Sequence, residues 1–175
     1  MQFPSCLSAS ARLPRSIVAE DFDRDGFIDL AVANFGTATI VILRNQPSTP
    51  GTFGTAVELP GGLKPRSIAL TDFDNDSISD IVIAHESGTS LLSVIRGYGS
   101  EAWGSRVIYG TATAAAFVQA LDIDRDGRPD IVVSSPTGTG SYQRVLNGGQ
   151  LPRASFASVV NTCARTVLDS GLARE

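Results

Sequence analysis

Three short stretches of this chain concentrate carboxylates at one spacing. Asp21, Asp23, Asp25 and Asp29 occupy positions one, three, five and nine of a nine-residue segment. Asp72, Asp74, Asp76 and Asp80 repeat the arrangement, and Asp122, Asp124, Asp126 and Asp130 repeat it again. The pattern D-x-D-x-D-G-x-x-D wraps a short loop around one hard cation with oxygen ligands only. Two like unit charges about 4 Å apart repel by about 4 kcal/mol at an effective dielectric near 20, and a divalent ion turns that repulsion into attraction. Oxygen donors without His or Cys select calcium or magnesium over zinc or copper, and a cage of several carboxylates plus a backbone carbonyl favours calcium. The expected ligands are therefore the twelve aspartates, with the carbonyls of Phe27, Ile78 and Arg128 at position seven of each loop, for up to three Ca2+ ions. Gly26 and Gly127 supply the sharp turn at position six, where a positive φ is expected. Ser77 replaces glycine in the middle loop, so strain or weaker binding is expected there.

An EF-hand loop also begins D-x-D-x-D-G, but it needs a bidentate Glu at position twelve and a helix on either side. Position twelve here is Val32, Ile83 and Val133, inside apolar runs of strand length, which rejects that reading. Little else in the chain suggests chemistry. His85 is the single histidine, no nucleophile elbow, zinc-protease or phosphate-loop motif is present, and the carboxylates are committed to the metal. Asn75-Asp76-Ser77 matches a glycosylation sequon but lies inside a metal loop, and Arg96-Gly97-Tyr98 reads as a turn. Cys6 and Cys163 lack metal or redox spacing and read as small apolar residues.

The elements that must hold these loops repeat with them, at an interval of about 50 residues. Arg15-Ser16-Ile17-Val18 before the first loop matches Arg66-Ser67-Ile68-Ala69 before the second, each directly after a proline. Leu30-Ala31-Val32-Ala33, Ile81-Val82-Ile83-Ala84 and Ile131-Val132-Val133-Ser134 follow the three loops. A further strand is expected at Ile40 to Leu43, Leu91 to Ile95 and Gln143 to Leu146. A last one follows Phe53-Gly54, at Ala56 to Leu59, and Trp103-Gly104, at Arg106 to Tyr109; Phe156 to Val160 takes that part in the third repeat. Each unit thus reads as four short strands joined by polar turns, with no convincing helix. The expected divisions are 1–13, the last strand of an incomplete preceding unit, then repeats at 14–60, 61–110 and 111–160, and a tail at 161–175.

The nine-residue loop with its flanking S-I-x-x-x-D-F and D-I/L-x-V-A segments resembles the FG-GAP or VCBS repeat family, known from the β-propeller of integrin α subunits, over residues 12 to 160. Phe35-Gly36 is the one literal Phe-Gly after a loop, whereas Ser87-Gly88 and Thr137-Gly138 keep only the glycine. The resemblance implies an all-β fold of propeller-like blades of four antiparallel strands, with the calcium loop between the first two strands of each. Three repeats and part of a fourth are fewer than the four to eight blades that close a propeller. The chain is therefore expected to be a fragment, a truncated propeller, or a unit that completes itself by oligomerising, because open blade edges invite pairing.

Composition narrows the function. The chain has 175 residues, 42% of them apolar, and carries a net charge of −4. Twelve of its 18 acidic residues lie in the three loops. Concentrated negative charge repels phosphate and argues against nucleic acid as partner. No run of about 18 apolar residues suggests a membrane span, and the amino terminus lacks the pattern of a secretory signal. The expectation is a non-enzymatic, calcium-stabilised module of an extracellular or cell-surface protein that engages a protein or glycan. The alternative is a non-catalytic accessory domain of a secreted enzyme whose chemistry lies in another part of the chain; catalysis by the repeats themselves has least support in the residues.

Overall fold

Alternation of apolar residues in runs of four to seven, punctuated by Asp-rich and Gly-rich turns, produces strands here and no helix among the described residues. The computed structural model describes residues 13–87, 92–99, 102–109, 115–123, 125–134, 141–147 and 156–163. Expectations for residues 1–12, Cys6, Asp124 and residues 164–175 lie outside the described residues.

Twelve strands form three four-stranded antiparallel sheets, each a simple meander. The first holds β1 (Pro14–Glu20), β2 (Asp29–Asn34), β3 (Thr39–Leu43) and β4 (Val57–Pro60). The second holds β5 (Pro65–Thr71), β6 (Asp80–His85), β7 (Leu92–Ile95) and β8 (Val107–Tyr109), and the third β9 (Phe117–Leu121), β10 (Asp130–Ser134), β11 (Ser141–Asn147) and β12 (Phe156–Cys163). These are propeller-like blades of an all-β chain. Pairing in the third sheet continues to Cys163, three residues into the segment expected to be a tail, because Asn161, Thr162 and Cys163 keep register with Gln143, Tyr142 and Ser141.

Successive residues of a strand point to opposite faces, and the central blade uses both. Ile81, Ile83 and Ile95 pack against Ala31, Ala33, Ile40 and Ile42 of the first blade. Val82, Ala84, Leu92 and Val94 pack against Val118, Ile131 and Val133 of the third. Every residue of β6 is buried as a result, which explains its unbroken apolar run. The first strands of the blades lie side by side, β5 between β1 and β9. One serine in each of the first two repeats ties them: the Ile68 amide donates to Ser16 Oγ at 3.2 Å, and the Val118 amide donates to Ser67 Oγ at 3.2 Å. Each acidic loop thus leaves the end of a strand locked to its neighbour and enters a strand packed on at least one face.

Candidate metal centre

The three acidic loops connect the first strand of a blade to the second: Asp21 to Ile28 between β1 and β2, Asp72 to Ser79 between β5 and β6, and Asp122 to Pro129 between β9 and β10. Valine and isoleucine at position twelve lie within β2, β6 and β10, away from any helix.

Each loop is built by its own carboxylates. Asp21 accepts the amides of Asp25 at 3.0 Å and Gly26 at 2.9 Å. Asp72 accepts those of Asp76 and Ser77, and Asp122 those of Asp126 and Gly127, at the same loop positions. The position-five carboxylates Asp25, Asp76 and Asp126 accept the amides of Phe27, Ile78 and Arg128. Two left-handed residues curl each loop. Position four has φ of 62°, 66° and 62° at Arg24, Asn75 and Arg125, and position six has 89°, 67° and 83° at Gly26, Ser77 and Gly127. Ser77 therefore adopts the conformation that its glycine counterparts take without a Cβ penalty, which is the strain expected from its sequence.

Position nine behaves differently from the rest. Asp29, Asp80 and Asp130 are buried, at 0%, 0% and 1% exposure. Asp29 accepts the amides of Phe22 and Asn45 at 3.3 and 2.8 Å. Asp80 accepts those of Phe73 and Gly97, both at 2.9 Å. Asp130 accepts the amide of Ile123 at 3.1 Å. The ninth carboxylate thus fastens the start of its loop, and in the first two blades also the exit of the third strand. Position two adds an apolar anchor, since Phe22 and Phe73 are buried in the two inter-blade cores. Phe22 meets Trp103 edge-on at 5.5 Å between ring centroids, and Phe73 meets Tyr109 at 6.1 Å.

Carboxylate oxygens gather at two of the loops. One oxygen each from Asp21, Asp23 and Asp29 lies within 4.8 Å of the others, and so do oxygens of Asp72, Asp74 and Asp76. Asp25 in the first loop and Asp80 in the second stand outside these groups. The third loop places Asp122, Asp126 and Asp130 by the same amide contacts, without such a group among the described residues. At Phe27, Ile78 and Arg128 the amides are engaged by the position-five carboxylates.

The donors suit a hard cation. Burial pushes the Asp80 carboxyl up to about 7, against the pull of the Gly97 and Phe73 amides, and Asp74 and Asp76 add repulsion. Burial also raises Asp29 and Asp74 above the usual carboxylate range. Asp74 Oδ1 is buried and makes no well-formed hydrogen bond. Crowded, partly desolvated oxygens, one of them unsatisfied, are what a bound divalent ion would relieve.

Comparison with known sequences agrees with this geometry. The sequence model of the FG-GAP-like repeat matches residues 21–83 and again 72–133, overlapping spans that each run from one acidic loop through the next and into the strand that follows. The chain belongs to the FG-GAP-like repeat family. No curated protein matches it in sequence. For an FG-GAP-like repeat protein, the two matched spans cover all three acidic loops and the apolar strands β2, β6 and β10.

Sequence reasoning missed several residues that shape these FG-GAP-like loops. Arg44, directly after β3, pairs with Asp23, and Arg96, directly after β7, pairs with Asp74 at 2.9 Å. Both arginines follow the third strand of their repeat, and that recurrence was the available signal. The recurring Ser16 and Ser67 likewise appeared only as part of a matching segment, without a role.

Proposed function

We propose that this chain is a calcium-binding repeat module of an extracellular or cell-surface protein, in which the metal is structural and the surface of the blades engages a protein or glycan ligand without catalysis. The observation that carries the metal part is the gathering of three carboxylate oxygens within 4.8 Å at the same place in two successive blades. Asp21, Asp23 and Asp29 would hold one ion, and Asp72, Asp74 and Asp76 a second. When bound, the ion supplies positive charge to oxygens that otherwise repel. Asp21 and Asp72 meanwhile order the loop backbone, and Asp29 and Asp80 fasten it to the blade.

Calcium is preferred over magnesium because the donor set is all oxygen and rich in carboxylates, whereas magnesium tends to keep its waters. Thermodynamic linkage supports an extracellular setting. Sites with dissociation constants of about 0.1 to 1 mM gain about 0.4 to 1.4 kcal/mol each at about 1 mM calcium, and almost nothing in a calcium-poor cytosol. Thermal unfolding in millimolar calcium and in excess chelator, with mass measured by light scattering in both, tests the reading. A midpoint that rises with calcium supports it, and the mass reports whether the blades stand alone or assemble. An unchanged midpoint overturns it.

A further inference from the structure

Arg44 and Arg96 occupy one register position in two blades. Leu30 pairs with Leu43 and Ile81 with Ile95, so the arginine that follows each third strand stands opposite the ninth-position aspartate, Asp29 or Asp80. From there each guanidinium reaches the position-three carboxylate of the acidic loop: Arg44 that of Asp23, and Arg96 Nη1 the Oδ2 of Asp74. These are not loose surface pairs. The side chains are 12% and 19% exposed for Arg44 and Asp23, and 23% and 12% for Arg96 and Asp74. In the third blade Ile131 pairs with Val145, which puts Leu146 at this position.

Asp74 shows the arrangement most completely. Its Oδ2 is held by Arg96, whereas its Oδ1 is buried and makes no well-formed hydrogen bond, the carboxylate feeling only a weak pull from the Asp76 amide. One oxygen is therefore fixed by protein and the other is left for a ligand, the way residues around a metal site orient a ligating side chain. The arginine also supplies one positive charge to a group of three carboxylates, Asp72, Asp74 and Asp76, that share a small volume.

We propose that Arg44 and Arg96 are positioning residues that act as built-in counter-ions: each keeps its position-three aspartate ready for the cation and carries part of the cation's charge when none is bound. The proposal rests on the metal-binding reading above. It makes the first two blades tolerant of calcium loss, because an Asp23 or Asp74 without metal is still paired. At the corresponding register position of the third blade stands Leu146.

A thermodynamic cycle separates this role from packing. Arg96→Met keeps much of the apolar stem and removes the charge, Arg96→Lys keeps the charge, and Arg44→Met tests the first blade. Unfolding midpoints of the full chain are measured with calcium chloride and with excess chelator. If the arginine stands in for the ion, the Met variants lose stability mainly in chelator. The calcium-induced rise in midpoint then exceeds the wild-type rise by about 2 to 4 °C per arginine removed, and Arg96→Lys returns toward wild type. An equal loss in both conditions means that the arginine only packs, and overturns the proposal. A wild-type calcium response left unaltered in the variants overturns it while leaving metal binding intact, whereas a wild type that ignores calcium overturns both.

Discussion

Arg24, in the first acidic loop, donates a hydrogen bond from its guanidinium to the backbone carbonyl of Ser77 in the second. The two residues are 53 positions apart and belong to different blades. A second tie runs beside it, from Ser79 Oγ to the Glu20 carboxylate at 2.5 Å. The first two loops are therefore neighbours in space, and the backbone of the strained middle loop is held from the blade before it.

Replacing Ser77 by glycine separates strain from that tie, because Arg24 contacts the main chain and the substitution keeps the acceptor. Ser77 has φ of 67°, in the left-handed region where a Cβ is penalised. Ser77→Gly is expected to stabilise the metal-free protein by about 0.5 to 1 kcal/mol, or about 1 to 4 °C in midpoint. A lower midpoint in a chelator-treated melt would show that the serine contributes more than it strains.

Asp80 is expected to be more costly to replace than a carboxylate on the exposed side of a loop. Both its oxygens accept backbone amides, from Phe73 and Gly97, and it is fully buried. Asn offers one oxygen and turns a donor toward the other amide, so Asp80→Asn should cost about 1 to 3 kcal/mol in chelator above about pH 7, where the Asp80 carboxylate is ionised. Asp25→Asn, at an exposed residue, should cost less. Denaturant melts of the two variants check the order, and a reversed order would refute the fastening role of position nine.

Calcium stabilisation should depend on pH with a definite sign. Burial raises Asp80 from 3.8 to about 7, so the metal-free folded state keeps a proton that the unfolded chain has already lost. Metal-free stability therefore falls as pH rises from about 4 to about 7 on account of this group. A bound cation favours the ionised carboxylate, so the stability gained on adding calcium should grow across the same range. The measurement is the difference between calcium and chelator midpoints at several pH values. A difference that stays flat or shrinks as pH rises counts against Asp80 as the titrating group.

His85 contributes in the opposite direction. It is 1% exposed, its Nδ1 lies 3.0 Å from the Leu63 carbonyl and its Nε2 2.7 Å from Ser93 Oγ. Burial holds its pKa below 6.5, so the folded protein keeps it neutral while the unfolded chain takes up a proton. The stability it confers is complete above about pH 6.5 and is lost as pH falls below that value. His85→Leu strands the Leu63 carbonyl and the buried Ser93 hydroxyl at a cost of about 1 to 3 kcal/mol near neutral pH. The gap between wild type and variant should narrow on acidification, and a constant gap would mean that His85 does not titrate on unfolding.

The recurring Asp pattern and the alternating apolar runs around it determined, by themselves, that three loops of one kind are carried by four-stranded units, and the structure has three such sheets. That much was legible because it is local. Spacing within nine residues dictates how a loop can curl, and a period of two residues dictates which face of a strand is buried. The same repetition shows that Ser77 departs from glycine, and its positive φ follows. Only the tertiary structure decided which carboxylates meet. Asp29 joins the group of the first loop, whereas in the second Asp76 joins and Asp80 does not. It also decided that position nine is a buried fastening for backbone amides, that Ser16 and Ser67 lock neighbouring blades, and that Arg44 and Arg96 face the loops. Each of these depends on groups from different strands or blades, as many as 52 residues apart for Ser16 and Ile68, brought together by burial of the isoleucine and valine faces between sheets. Burial also raises Asp80, and no local pattern encodes how far a given carboxyl will lie from water once the blades have stacked.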